Sequence, residues 1–188
     1  MTHRNNAQLI NQSSGAVEYY TPPPIVEAAR RTMGGIDLDP ASSAAANQVV
    51  QATKYFDECT DGLRPSLTWT GRVWLNHPFS RQENYFWIRK LIHHYQSGDI
   101  EQACCITFAS TSEAWFTPLF AYPMCFLQPR TNYYLPSGKK ATGVTKGSVV
   151  TYLGPNINRF ATMFAQLGQI VIPFASPYIR LMDTDFGA

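Results

Sequence analysis

A chain of 188 residues, 45% hydrophobic and 15% charged, is long enough for one domain with a real core and too apolar for a disordered segment. Its net charge of +2 does not announce a nucleic-acid partner, so any basic surface has to be local. No apolar run approaches the ~20 residues of a membrane span, the polar opening MTHRNNAQLINQSS lacks a signal-peptide core, and Cys59, Cys104, Cys105 and Cys125 show no ligand spacing. These features predict a cytoplasmic protein with reduced thiols, no metal and no membrane partner.

Residues 1–17 read as a flexible N-terminal arm. TPPPIVEAARRTMGG predicts a helix with Thr21 as N-cap, prolines in its first turn and Gly34-Gly35 as its stop. GIDLDP is a short strand closing on Pro40, and ASSAAANQVVQA is a small-residue helix. RVWL, residues 72–75, is another strand. Ser80-x-x-Glu83 forms a capping box opening a helix with Tyr85, Ile88, Ile92 and Tyr95 at helical spacing, ended by Gly98. ACCITFA, residues 103–109, has the continuous apolar run of a strand buried on both faces. Ser110-x-x-Glu113 predicts a second short helix through Phe120. MCFLQ (124–128) is a strand, and 136–147 is a loop rich in Gly, Lys, Ser and Thr. SVVTYLG is a strand, PNINRFATMFAQLG a helix from Pro155, QIVIPF a last strand and 176–188 a C-terminal tail. Strands alternating with helices predict a single α/β domain over 18–175, with a mostly parallel sheet flanked by helices. Ligands of such sheets bind beyond the carboxyl ends of the strands. DLDPAS and LNHPFS each place polar residues just past a strand, so both are expected on the same sheet edge.

Four fragments occur in order: YYTPPPI (19–25), IDLDPASS (36–43), TDGL (60–63) and VWLNHPFS (73–80). Their order and spacing resemble the phage-type, Dam-like DNA N6-adenine methyltransferases that use S-adenosylmethionine. FASTSEAWF, CFLQPR and KGSVVTYLGPNINRFATMFAQLG resemble later blocks of that family, which carries the resemblance over residues 18–172. It implies a Rossmann-like methyltransferase fold, S-adenosylmethionine as cofactor, DNA as partner and adenine N6 as the methylated atom, in phage or prophage DNA within a host cytoplasm. The Asn-x-Pro-aromatic tetrapeptide alone also fits an amino-methyltransferase acting on RNA, protein glutamine or cytosine N4, and a catalytically silent relic that binds DNA or cofactor.

The resemblance puts the chemistry at Asn76, His77, Pro78 and Phe79. An adenine amine is a poor nucleophile because its lone pair is delocalised into the ring. The Asn76 side-chain oxygen and the carbonyl of residue 77 can each accept one of its hydrogens, while Phe79 offers a stacking face and Pro78 fixes the backbone. On the cofactor side, Tyr20, Thr21 and Pro22 correspond to a block near the methionine end. Asp39, Pro40 and Ala41 supply a carboxylate for the ammonium, with Asp37 on the same side of the strand. Asp61, with Gly62 and Leu63 beside it, corresponds to the acid that receives the cofactor's adenine amine, and Asn76 borders the cofactor as well. The ribose acid is open between Asn47 and Glu58. For DNA, Arg81, Arg130, Lys139, Lys140 and Lys146 are the cations near the site-bearing loops, and Trp115 serves either as a wedge or in the core. His93 and His94 face different directions on a helix and make no metal pair.

His77 is a departure, since similar proteins carry proline there. It keeps the carbonyl but loses proline's fixed φ and adds a ring that titrates near neutral pH. The resulting expectation is a looser site in which His77→Pro raises or preserves turnover.

Overall fold

The computed structural model describes residues 19–79, 83–135, 137–141 and 146–174; the expected arm and tail, Ser80 and Arg81 lie outside them. Helix α1, Pro23–Met33, begins on Pro22 with prolines where a first turn needs no N–H. Thr21 does not cap it, for its hydroxyl is buried without a partner. The helix stops at Gly34, whose φ of 80° lets its N–H return to the Arg30 carbonyl. Strand β1, Leu38–Asp39, leads to α2, Ala44–Val50, which Ser43 caps by accepting the Ala46 N–H at 3.1 Å. Then come β2 (Lys54–Tyr55), β3 (Gly71–Leu75), α3 (Asn84–Gln96) and β4 (Ile100–Phe108). Strands β5 (Met124–Leu127) and β6 (Ser148–Leu153) precede α4 (Ile157–Phe164) and β7 (Gly168–Val171).

The seven strands lie in the order β2-β1-β3-β4-β6-β5-β7. The β2–β1, β1–β3 and β3–β4 pairs are parallel, whereas β4–β6, β6–β5 and β5–β7 are antiparallel. The expected mostly parallel sheet is therefore a mixed one. The apolar runs of β4 and β6 report burial on both faces, and such burial does not reveal strand direction. Two further expectations shift. On α3 the buried side chains are Asn84, Trp87, Ile88 and Leu91, and Tyr85 is exposed, because this helix turns its tryptophan onto Trp69. The helix expected from Ser110 to Phe120 is instead a series of turns and a 3-10 helix, Thr117–Ala121, with Pro118 in its first turn.

The sheet separates two apolar clusters. Helices α1 and α4 cover one face over Trp74, Cys104, Ile106 and Val150. Helix α3 and the 3-10 segment cover the other over Val73, Leu75, Ala103 and Cys105. Alternation along β3 and β4 sends successive side chains to opposite layers, and this sandwich holds the strand ends in place.

Candidate active site

From β1 the chain passes outward to β2, then crosses back to β3 on the other side of β1. Strand order thus reverses between β1 and β3, and the crevice beyond their carboxyl ends is where sheets of this kind hold ligands. With Leu38 paired to Val73, Asp39 stands level with Trp74, and the Asp39–Ala41 and Asn76–Pro78 turns emerge side by side. A cleft of about 690 Å³ opens there, within the ~300–1,000 Å³ common for small-molecule sites. It brings together Tyr20, Thr21, Asp39, Pro40, Ala41, Asp61, Gly62, Asn76, His77 and Pro78, which come from all four sequence blocks.

Asp39 is 2% exposed, and its carboxylate accepts the Ala41 N–H at 3.2 Å. Burial pushes its pKa up to about 7, with the Ala41 amide pulling the other way. Among the described residues no cation compensates it. A buried carboxyl on a cleft wall is suited to a ligand ammonium, and this fits an amino-acid-bearing cofactor. Thr21, Asn76, His77 and Trp87 also line the cleft, and each has a buried polar side-chain atom without a partner among the described residues. Such a set suits a ligand with several polar groups.

The Asp61–Gly62 loop is seated by close contact. A Cβ on Gly62 would lie 1.9 Å from the Pro40 carbonyl oxygen, so only glycine lets the two loops touch. Trp69 Nε1 and Lys90 Nζ both donate to the Gly62 carbonyl at 3.0 Å. Asp61 takes φ 54° and accepts the Leu63 N–H at 3.0 Å, while its exposed side chain borders the cleft.

Asn76 donates through Nδ2 to the Tyr19 carbonyl at 2.7 Å. A carbonyl only accepts, so the amide nitrogen must face Tyr19. The remaining Oδ1 is buried and has no partner among the described residues. Tyr19 is held next to the site because Tyr20 and Tyr134 exchange backbone hydrogen bonds at 2.7 and 2.9 Å. The Tyr20 hydroxyl lies 3.0 Å from that of Ser43.

His77 corrects the expectation of a loose, neutral-pH titrating ring. It is 1% exposed, and burial pushes its pKa down to about 4. It stacks on Trp87 with 7° between planes and centroids 6.2 Å apart, and its Nδ1 lies 2.9 Å from the Pro78 carbonyl oxygen. The loop is anchored through a side chain rather than through a proline ring.

Phe79 packs on Phe108 at 4.3 Å between centroids, in a cluster with Tyr19 and Tyr133. Lys146 Nζ lies 5.7 Å from the Phe108 ring centre, and Lys140 Nζ lies 5.9 Å from that of Tyr134. These contacts tie two of the expected DNA cations to the aromatic cluster and to Tyr134, whose isolated bridge holds Tyr20. Lys139 and Arg130 are exposed. Arg81 lies outside the described residues.

Several expected residues are engaged elsewhere. Asp37 is clamped by Arg72, whose Nη2 and Nε donate at 2.6 and 2.7 Å, and it does not line the cleft. That pairing holds its carboxyl below the usual range and locks β1 to β3. Asn47 is bonded at both ends of its amide to the Ala52 backbone, which closes α2. Trp115 is buried in the core under the sheet and is not a wedge. Pro22 and Leu63 support the loops from outside the cleft lining, and Leu63 packs on the α3 core.

Other lining residues escaped the sequence-based expectations: Tyr19, Asp57, Glu83 and Trp87. Asp57 follows β2 at its carboxyl end, the position where parallel strands present ligand groups. Recognising the two-residue β2 would have found it. Its Oδ1 accepts the Thr60 N–H and hydroxyl at 2.9 and 2.8 Å. Glu58, the other ribose candidate, is exposed at the cleft. Among the described residues no group of three or more His, Cys, Asp or Glu could hold a metal, and no helix is long and apolar enough to cross a membrane.

No curated protein matches the sequence. The family described as DNA N-6-adenine-methyltransferase (Dam) matches over residues 12–161, which includes all four blocks that converge on the cleft. By that match, and with the blocks meeting at one crevice, the chain belongs to the Dam family of DNA N-6-adenine-methyltransferases.

Proposed function

We propose that the chain transfers a methyl group from S-adenosylmethionine to the N6 amine of adenine in DNA, through a Rossmann-like domain spanning residues 18–175. The observation that carries this is the partnerless Oδ1 of Asn76. Because the Tyr19 carbonyl takes the amide nitrogen, Asn76 is left with an acceptor, the group an amine substrate requires.

Asn76 Oδ1 accepts one N6–H, and the backbone carbonyl of His77 accepts the other. Two acceptors so placed favour a pyramidal nitrogen with its lone pair aimed at the methyl donor. No general base has to act before transfer. Phe79, backed by Phe108, presents a face to a base turned out of the duplex. When bound, S-adenosylmethionine supplies an electrophilic methyl on a sulfonium. Asp39 receives its ammonium, Tyr20 and Thr21 flank the amino-acid end, Asp61 receives its adenine amine, and Glu58 or Asp57 holds the ribose hydroxyls. Lys139, Lys140, Lys146 and Arg130 contact phosphates.

The test is incubation with methyl-labelled S-adenosylmethionine and duplexes of only A·T or only G·C pairs. Label is expected in the A·T duplex. Label confined to the G·C duplex points to cytosine N4 instead. Label in neither, with cofactor bound, overturns methylation of these duplexes and leaves an RNA or protein substrate or a silent binding protein.

A further inference from the structure

One wall of the cleft is built of rings. His77 lies flat on Trp87, and Trp87 lies on Trp69 with 27° between planes and centroids 5.9 Å apart. Stacking accounts for the faces of these rings but not for their edges. Among the described residues, the Nε2 of His77 and the Nε1 of Trp87 are both buried without a partner, although both residues line the cleft. Trp69 shows the contrast, since its indole N–H is satisfied by the Gly62 carbonyl at 3.0 Å. Unsatisfied buried polar atoms are uncommon and costly. Two of them on adjoining rings at one cleft point to a ligand that supplies both partners.

The hydrogen-bonding sense of each atom is fixed. An indole N–H only donates. The Pro78 carbonyl only accepts, so His77 carries its hydrogen on Nδ1. The ring is neutral at pH 7 because it is buried, which leaves Nε2 as an acceptor. The wall therefore offers one acceptor and one donor. A 6-aminopurine has the complementary edge, with an amine N–H beside a ring nitrogen lone pair. A 6-oxopurine reverses both groups, and His77 cannot switch tautomer to follow without losing its bond to Pro78.

We propose that His77 and Trp87 read the purine edge of the bound cofactor, with His77 accepting the 6-amino hydrogen that Asp61 does not take and Trp87 donating to the neighbouring ring nitrogen, and are specificity-determining residues for its 6-amino group. The proposal rests on the cofactor assignment made above. Proline at position 77 would have no side-chain acceptor, so histidine here adds a contact that proline cannot make.

The test uses the full chain and calorimetric titration with S-adenosylhomocysteine and with its 6-oxo counterpart, S-inosylhomocysteine. The wild type is expected to prefer the amino form. His77→Phe and Trp87→Phe should each lower that preference by about 3–10-fold, the worth of one neutral hydrogen bond. A residue with only a structural role would change both affinities alike and leave their ratio untouched. Should His77→Phe fail to fold, His77→Gln serves, since its amide can present either group and should also reduce the preference. A wild-type ratio in the folded variants overturns the proposal alone. Wild-type protein that binds neither compound overturns the cofactor assignment and the proposal with it.

Discussion

The side-chain nitrogen of Asn76 is held by the backbone carbonyl of Tyr19, 57 residues earlier in the chain, at 2.7 Å. The segment at Tyr19 thereby decides which end of the Asn76 amide is left for substrate. Asn76→Ala is expected to lower methyl transfer by about 10²–10³-fold, the cost of losing one oriented polar group at a reacting centre. Cofactor affinity should stay near the wild-type value. Single-turnover rates beside calorimetric binding separate the two effects, and a wild-type rate in this variant would remove Asn76 from the chemistry.

His77 links stability to pH. Its pKa drops from 6.5 to about 4 on folding, so the unfolded chain takes up a proton near pH 6.5 and the folded chain does not. Stability from this group is complete above pH 6.5 and is lost as pH falls toward 4. His77→Phe should flatten that part of the profile, as measured by urea midpoints from pH 7 to pH 4. His77→Pro also strips the face of Trp87 and is expected to cost about 1–3 kcal/mol. This reverses the benefit expected from proline's fixed backbone.

Asp39 has the opposite shift, from 3.8 to about 7. The folded chain holds this proton over a range where the unfolded chain has released it. Its burial therefore costs stability progressively as pH rises from 3.8 to 7, and the cost is constant above that. A cationic cofactor group requires the ionised form. Binding near pH 6 is expected to release close to one proton, and affinity to fall about tenfold per pH unit below 7. Calorimetry in two buffers of unlike ionisation heat counts that proton. Zero release at pH 6 would detach Asp39 from the ammonium.

Gly62→Ala would place a methyl 1.9 Å from the Pro40 carbonyl oxygen, and that oxygen belongs to backbone rather than to a side chain that can swing away. The Asp61 loop must move off the Asp39 turn. A loss of about 1–3 kcal/mol in stability is expected, together with weaker cofactor binding. Melting curves with and without S-adenosylhomocysteine check it; an unchanged ligand-induced shift would show that the two loops do not act together.

Lys140→Ala and Lys146→Ala should weaken DNA binding without altering cofactor affinity. If each lysine meets one phosphate, each substitution reduces the slope of log K against log salt by about 0.9. Binding isotherms over roughly 50–200 mM salt measure it. A wild-type slope in both variants would place the DNA elsewhere.

Much of the site was legible because its parts are local. Asp39-Pro40, Asp61-Gly62 and Asn76-His77-Pro78 each combine a polar group with a turn, and strand ends are where an α/β sheet presents such turns. The left-handed stop at Gly34 follows from the residue type itself. Two-residue strands such as β2 are too short to show a period, so Asp57 beside it went unnoticed.

Read alone, the chain carries a set of chemical groups in order: an acid after one strand, an amide after another, and a histidine between Asn76 and Pro78. Tertiary structure alone decided what each group does. Packing assigned Asp37 to Arg72 and left Asp39 without a cation among the described residues, turned the Asn76 amide by way of Tyr19, and fixed the His77 tautomer against Pro78. Hydrogen-bond sense and charge state depend on neighbours brought from distant parts of the chain, and those neighbours exist only once the sheet has formed.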